Sequence, residues 1–75
     1  MSKETIFNKK LIRIKSVTEI TGLSKSYIYQ LQNKGLFPKS VQIIPNGKAK
    51  AWVLSEVNDW IDSRIQERDI AQEVA

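Results

Sequence analysis

The chain has 75 residues with neither cysteine nor histidine, which excludes disulfide bonds and metal sites built from thiolates or imidazoles. A chain this short forms one thin-cored domain, so we expect no small-molecule substrate and no cofactor, and its apolar runs fall far below the roughly 20 residues that span a bilayer. The net charge of +4 is uneven, because residues 1–52 carry ten lysines and arginines against two acids, for +8, whereas residues 53–75 carry two against six, for −4.

The basic first part of the chain indicates a polyanionic partner. Basic surfaces bind nucleic acid because the contact releases condensed counterions. The same charge could serve solubility alone, and charge by itself does not distinguish these two interpretations.

The first residues predict an arm rather than a folded element. Met1–Lys10 is polar and uncapped, so we expect a flexible N-terminal arm at 1–10. No signal-peptide stretch occurs there, which favours a cytoplasmic protein. Leu11-Ile12-Arg13-Ile14 follows as a short apolar run, either a strand or an extended lead-in.

Two successive helices are predicted next. Ser16-Val17-Thr18-Glu19 has the form of a capping box, so a first helix is expected to begin at Ser16, and Gly22 can take the left-handed conformation that ends it. Ser24 then caps a second helix over Lys25–Lys34, which stops at Gly35. Two helices joined by so short a turn predict a helix-turn-helix.

A β-hairpin is predicted after the second helix. Val41 and Ile43 alternate with polar residues, and the turn signal Pro45-Asn46-Gly47 leads into a second alternating segment, Lys48–Ala51. We expect a three-residue loop with its glycine in the left-handed conformation.

This loop sets the register of the hairpin. It places Ile43 against Ala49 and Val41 against Ala51. In that register the apolar side chains point inward, and Gln42 and the two hairpin lysines point outward.

A third helix completes the predicted fold. Ser55 caps it, an apolar stripe that includes Trp60 faces the core, and it ends at about Arg68. Trp52 and Trp60 are expected to pack rather than to stack on bases. The sequence therefore predicts an α+β, small winged helix-turn-helix with three helices and a two-stranded β-hairpin wing over residues 11–69, followed by a frayed tail at 70–75.

The second helix carries a polar face opposite its apolar side chains. Serine, glutamine and asparagine at these positions can hydrogen-bond base edges in the major groove, and the start of the helix would meet a phosphate. A polar face that contacts nothing is the alternative, in which Tyr29 lies flat on a neighbour and Tyr27 belongs to the core. The candidate DNA-contacting residues here are Ser24, Lys25, Ser26, Tyr27, Tyr29, Gln30, Asn33 and Lys34.

The hairpin at Lys39–Val53 is a candidate wing. Lys48 and Lys50, with Lys39 at the base, form a positively charged finger that would follow the sugar-phosphate backbone or enter the minor groove. Asn46 at the small tip allows close approach, and Arg13 is a further candidate phosphate contact. Lysines that merely protect an edge strand from aggregation are the alternative.

The order of these pieces resembles the AlpA-type prophage regulators, within the excisionase and MerR-like winged-helix group. The resemblance covers about Lys10 to Ile65, and its most specific part is Gly-Leu-Ser-Lys-Ser-x-Ile-Tyr followed by Gly-x-Phe-Pro-Lys. It implies a small sequence-specific regulator of double-stranded DNA, acting in transcription or as an accessory factor that directs excision. The matching residues are Leu11-Ile12-Arg13, Val17, Thr21–Ser26, Ile28-Tyr29, Gly35, Phe37-Pro38-Lys39, Trp52, Glu56-Val57 and Trp60.

The sequence departs from the family pattern at two places. The position after Ile-Tyr is commonly arginine in that family, whereas it is Gln30 here, and the segment Ile44–Lys50 is less rich in arginine. Both differences bear on base preference more than on DNA binding itself.

Other functions remain open at this stage. An enzyme is not expected, because no histidine can act as a base and the acids lie mostly on one exposed helix. An excisionase-type factor would use the same surface and a recombinase partner. A small inhibitor of a host regulatory protein would instead use Asp59, Asp62 and Asp69 of the third helix. We expect a monomer that self-associates on repeated DNA sites, since one recognition helix covers few base pairs.

Overall fold

The structure, a computed structural model, describes residues 9–74, with side chains to residue 72. Most of the predicted N-terminal arm, residues 1–8, lies outside this range. Three helices and a three-stranded antiparallel sheet of order β1-β3-β2 form an α+β arrangement consistent with a small winged helix-turn-helix. The elements are β1 (Leu11–Ile12), α1 (Ile14–Thr21), α2 (Lys25–Asn33), β2 (Val41–Gln42), β3 (Lys50–Val53) and α3 (Leu54–Val74).

The first helix starts earlier than its capping box predicts. α1 begins at Ile14, so the prediction that Ser16 is the N-cap is wrong, and Arg13 takes that place without a side-chain cap. The reason is tertiary: β1 pairs with β3 and ends at Ile12, so the chain turns into the helix at once. Gly22 ends the helix in the left-handed conformation, with a φ of 76°, as predicted.

The second helix is capped at both ends by local interactions. The side chain of Ser24 accepts a hydrogen bond of 3.2 Å from the backbone N–H of Tyr27, which confirms the predicted N-cap. At the other end Gly35 has a φ of 74°, and the N–H of Leu36 donates to the carbonyl of Leu31 at 2.8 Å. This is a Schellman closure, and it confirms the predicted end of the helix at Gly35.

The hairpin has the predicted register but a different turn. Val41 pairs with Ala51, and the N–H of Ile43 donates to the carbonyl of Ala49 at 3.0 Å. Asn46, with a φ of 64°, takes the left-handed conformation that the sequence assigned to the neighbouring glycine.

That assignment is wrong because the tip is a four-residue turn. The N–H of Gly47 donates to the carbonyl of Ile44 at 2.8 Å, which places Pro45 second and Asn46 third. A positive φ at the third position is the requirement of a type II turn, and asparagine tolerates it. Glycine suits position 47 for a different reason, since a Cβ there would make a tight contact of 3.1 Å with the carbonyl oxygen of Ile44.

The two faces of the sheet follow from its register. Cross-strand partners share a face, and side chains along a strand alternate between faces. We call the face that bears Trp52 the core face, because this side chain is fully buried, and the opposite face the outer face. The core face carries Ile12, Trp52, Gln42 and Lys50, and the outer face carries Leu11, Val53, Ala51 and Val41.

This arrangement reverses the predicted orientation of the hairpin. Val41 and Ile43 were expected to point inward, but each is 39% exposed on the outer side. Trp52 occupies the core position, and the pleat then places Lys50, two residues earlier, on the same face. Lys50 remains exposed although it lies on the core face.

The third helix is longer than predicted at both ends. α3 begins at Leu54, so the prediction of Ser55 as the N-cap is wrong; the N–H of Leu54 donates to the carbonyl of Lys10 at 2.7 Å instead. The helix continues to Val74, past the end predicted near Arg68. Beyond its apolar stripe it consists mainly of residues with good helix propensity, which allows it to extend without core contacts.

The buried core joins the helices to the sheet. Trp60, which is half-buried, extends it by packing its ring edge against Phe37 at 4.8 Å between ring centroids. Both tryptophans therefore pack inside the domain, as predicted. No helix in residues 9–74 combines the length and apolar composition that crossing a bilayer requires. The buried cluster comprises Ile12, Val17, Ile28, Phe37, Trp52 and Val57.

Candidate nucleic-acid interface

The polar face of α2 is open to solvent. Ser26, Gln30 and Asn33 are exposed on the side opposite the buried Ile28. None of these three side chains hydrogen-bonds to another residue in the described part of the chain. Their donors and acceptors are therefore available to a ligand.

The two tyrosines of α2 lie on different flanks of this face. Tyr29 is half-buried, and its ring centroid lies 5.8 Å from that of Trp52, so much of this side chain serves packing. Tyr27 is 49% exposed and faces the α3 side, where it lines a groove with Leu31 and Trp60. Tyr27 is thus not part of the buried core.

The wing lysines lie on the same side of the sheet as α2. Lys50 shares the core face with Trp52, and Tyr29 of α2 packs against that tryptophan. Lys48 precedes Lys50 by two residues and is also exposed. The side chain of Gln42 stabilises the hairpin near its turn by donating a hydrogen bond of 2.6 Å to the carbonyl of Gly47. Lys50 therefore lies on the sheet face against which α2 packs.

A residue that sequence reasoning missed connects the helix to the wing. The Oε1 atom of Gln32 accepts a hydrogen bond of 3.0 Å from the backbone N–H of Ser40, just before β2. This bond fixes the base of the hairpin against α2. The available signal was a polar residue four positions after Ile28, on the apolar side of the helix, where a side chain needs a specific partner.

The positive charge of this surface is not neutralised from within the domain. Among residues 9–72 the ion pairs are Arg64–Glu67 and Arg68–Asp69, both at 2.8 Å and both on α3. The lysines of the helix and wing are thus free to attract an anion. The other predicted contact residues are likewise exposed: Arg13, Ser24, Lys25, Lys34, Lys39 and Asn46.

Comparison with known proteins assigns the chain to a family. Residues 10–65, most of the chain, match the family model described as prophage CP4-57 regulatory protein (AlpA). The chain belongs to the AlpA family. This confirms the resemblance seen in the sequence. Within the AlpA match lie both helices of the helix-turn-helix and the whole wing, whereas the last part of α3 extends past it.

A phage protein shows similarity over much of the same AlpA-family region. The chain is 41% identical over 63 residues to the uncharacterized protein ORF88 of Enterobacteria phage P4. The aligned part covers 84% of this chain and 69% of that protein. The chain therefore resembles a phage-encoded protein over most of its length.

Proposed function

We propose that this AlpA-family protein is a phage or prophage transcriptional regulator that binds double-stranded DNA sequence-specifically. α2 would enter the major groove, and the wing would lie on the sugar-phosphate backbone or in the minor groove. The observation that carries this proposal is that two features occur together on the α2 side of the sheet: a polar helix face and exposed lysines, neither of which has a side-chain partner within residues 9–72.

Sequence would be read by the side chains of the polar face. Glutamine and asparagine can each make a two-point contact with adenine, and one such pair discriminates bases by about 1–3 kcal/mol. Gln30 and Asn33 lie three residues apart on one face of a helix, so they can reach neighbouring base pairs. The caps at both ends of α2 and the Gln32 bond to the wing hold this face in a fixed orientation.

Affinity would come mainly from the phosphates. Lys48 and Lys50 supply charge from the wing, and Lys39 supplies it from the base of the hairpin. The N-terminus of α2, beside the exposed Ser24 and Lys25, suits a phosphate on the adjoining strand. Such contacts position the protein and make binding depend strongly on salt.

The test is selection from a pool of random duplexes at low and moderate salt. Wild-type protein should enrich a short motif and bind more weakly as salt rises. Gln30→Ala should relax the base preference at one or two positions of that motif. Gln66→Ala, which removes an exposed glutamine from α3, is the matched control and should leave the motif unchanged.

A folded protein that does not bind duplex DNA at low salt would overturn the proposal. It would favour the inhibitor hypothesis, in which the acidic side of α3 contacts a protein. Asp59 and Asp62 are exposed there and form no ion pair within residues 9–72. Substituting them should then abolish function while Gln30→Ala leaves it intact.

A further inference from the structure

The outer face of the sheet is an exposed apolar surface. All three strands contribute to it, and the buried Ala51 lies among larger side chains. Leu11 is 47% exposed, and Val41 and Ile43 are each 39% exposed. In a domain with so small a core, apolar side chains left in water on one continuous face indicate a surface that another molecule covers.

A groove crosses this face and carries one charge of each sign. Its volume is ≈ 500 Å³, and Leu11, Val41 and Val53 line it together with Lys9 and Glu56. Neither of these charged residues forms an ion pair with another residue in the range 9–72. The groove thus combines an apolar centre with an unneutralised cation and an unneutralised anion.

We propose that the outer face is the interface of a homodimer, in which two copies pack sheet against sheet about a two-fold axis. Such an interface applies the same patch to itself, so the patch must be self-complementary. The apolar side chains would meet their own copies, as the facing layers of two packed sheets do. A two-fold axis that lies in the interface and passes midway between Lys9 and Glu56 would bring Lys9 of each copy opposite Glu56 of the other, which would form two ion pairs.

The charges favour no highly charged occupant. Because Lys9 and Glu56 balance each other, the groove offers no net attraction to a polyanion or to a strongly basic partner. A second copy satisfies both groups at once. It also covers apolar side chains on both molecules, which gives a larger gain per contact than an occupant that is polar throughout.

Dimer formation and DNA binding would not compete for the same surface. Lys50 and Trp52 lie on the core face, opposite to the proposed interface. Both wings of a dimer would therefore remain available, and two linked recognition helices could read two half-sites. This differs from the monomer expected from the sequence, in which Val41 and Ile43 were assigned to the core.

Sedimentation equilibrium of the full chain without DNA tests the interface. Wild-type protein should show a concentration-dependent dimer. Leu11→Lys should weaken dimerisation by at least about tenfold, because each of the two copies then places one charged lysine in the apolar contact. Leu36→Lys, at a leucine that is 58% exposed outside this face, is the matched control and should leave the dimer unchanged. A wild-type protein that stays monomeric up to on the order of 1 mM overturns the proposal.

Charge reversal tests the two-fold pairing and does not depend on the apolar substitution. Lys9→Glu alone and Glu56→Lys alone should each weaken the dimer by about tenfold, because each converts two attractive pairs into two repulsive ones. The double variant should restore wild-type association. Failure of this rescue in folded variants, checked by thermal unfolding, overturns the pairing.

The outcome is separable from that of the DNA experiment. The dimer is measured without DNA, and Lys48→Ala with Lys50→Ala should leave it intact because Lys50 lies on the core face and neither lysine lines the groove. A Leu36→Lys protein that becomes monomeric while Leu11→Lys stays dimeric would place the interface at the α2–α3 groove and overturn the proposal.

Discussion

Replacing both wing lysines with alanine tests how the wing contributes to DNA binding. Each phosphate neutralised by a protein cation contributes about 0.9 to the slope of log K against log salt concentration. Lys48 and Lys50 are exposed and form no ion pair within residues 9–72, so each is free to make one such contact. The double variant should therefore have a slope smaller by about 1.8.

This slope predicts how the two proteins diverge with salt. Between about 50 and about 200 mM salt, a fourfold change, the affinity advantage of the wild type should shrink by about 12-fold. Fluorescence anisotropy with one labelled duplex over that range measures both slopes. The substitutions lie at exposed strand and turn positions, so the free energy of unfolding should change by no more than about 0.5 kcal/mol.

A second double variant controls for net charge. Arg64→Ala with Arg68→Ala also lowers the net charge from +4 to +2, but it removes charges that α3 already pairs with Glu67 and Asp69. Its salt slope should stay close to that of the wild type. Equal loss of slope in the two double variants would mean that net charge alone governs binding, and an unchanged slope in the lysine variant would refute the wing contact.

Three substitutions test the packing that presents this surface, each measured by thermal or urea unfolding. Ser24→Ala should cost about 1 kcal/mol of stability because it removes the N-cap of α2, whereas Ser26→Ala, at an exposed serine without a capping bond, should be nearly neutral. Gln32→Ala should cost about 1–2 kcal/mol by leaving the N–H of Ser40 unsatisfied, and Gln32→Glu, which keeps an acceptor, should cost less. Trp60→Phe should cost about 1 kcal/mol by losing the 2.8 Å indole hydrogen bond to the carbonyl that follows α2. Equal stability of the two serine variants, or no loss in the glutamine and tryptophan variants, would contradict these contacts.

The helix-turn-helix could be predicted from the sequence because local interactions determine it. Ser24 and Gly35 bracket α2, and each satisfies backbone groups within a few residues of itself. The strand register was predictable for the same reason, since the Pro45-Asn46-Gly47 turn and the alternation around it are short-range. The exposed polar face of α2 also follows from helical periodicity, and only its DNA contacts stay a prediction.

The α1 and α3 boundaries were decided by tertiary contacts. Both Ser16 and Ser55 have the sequence context of an N-cap, yet each lies inside a helix. The start of α1 follows from the pairing of β1 with β3. The start of α3 is fixed by the hydrogen bond from the N–H of Leu54 to the carbonyl of Lys10. The third strand of the sheet, β1, was likewise open in the sequence, because only a partner distant in the chain makes two residues a strand.

The direction in which each sheet face points was also decided by the tertiary structure. A pleat of period two specifies which side chains share a face but not which face is buried. Trp52 settles this by filling the core, which places Lys50 on the side of α2 and leaves Val41 exposed. The sequence by itself thus determined the helix-turn-helix and the hairpin register. The fold decided that Lys50 lies on the sheet face against which α2 packs and that an apolar face remains on the opposite side, because burial depends on what packs against the sheet.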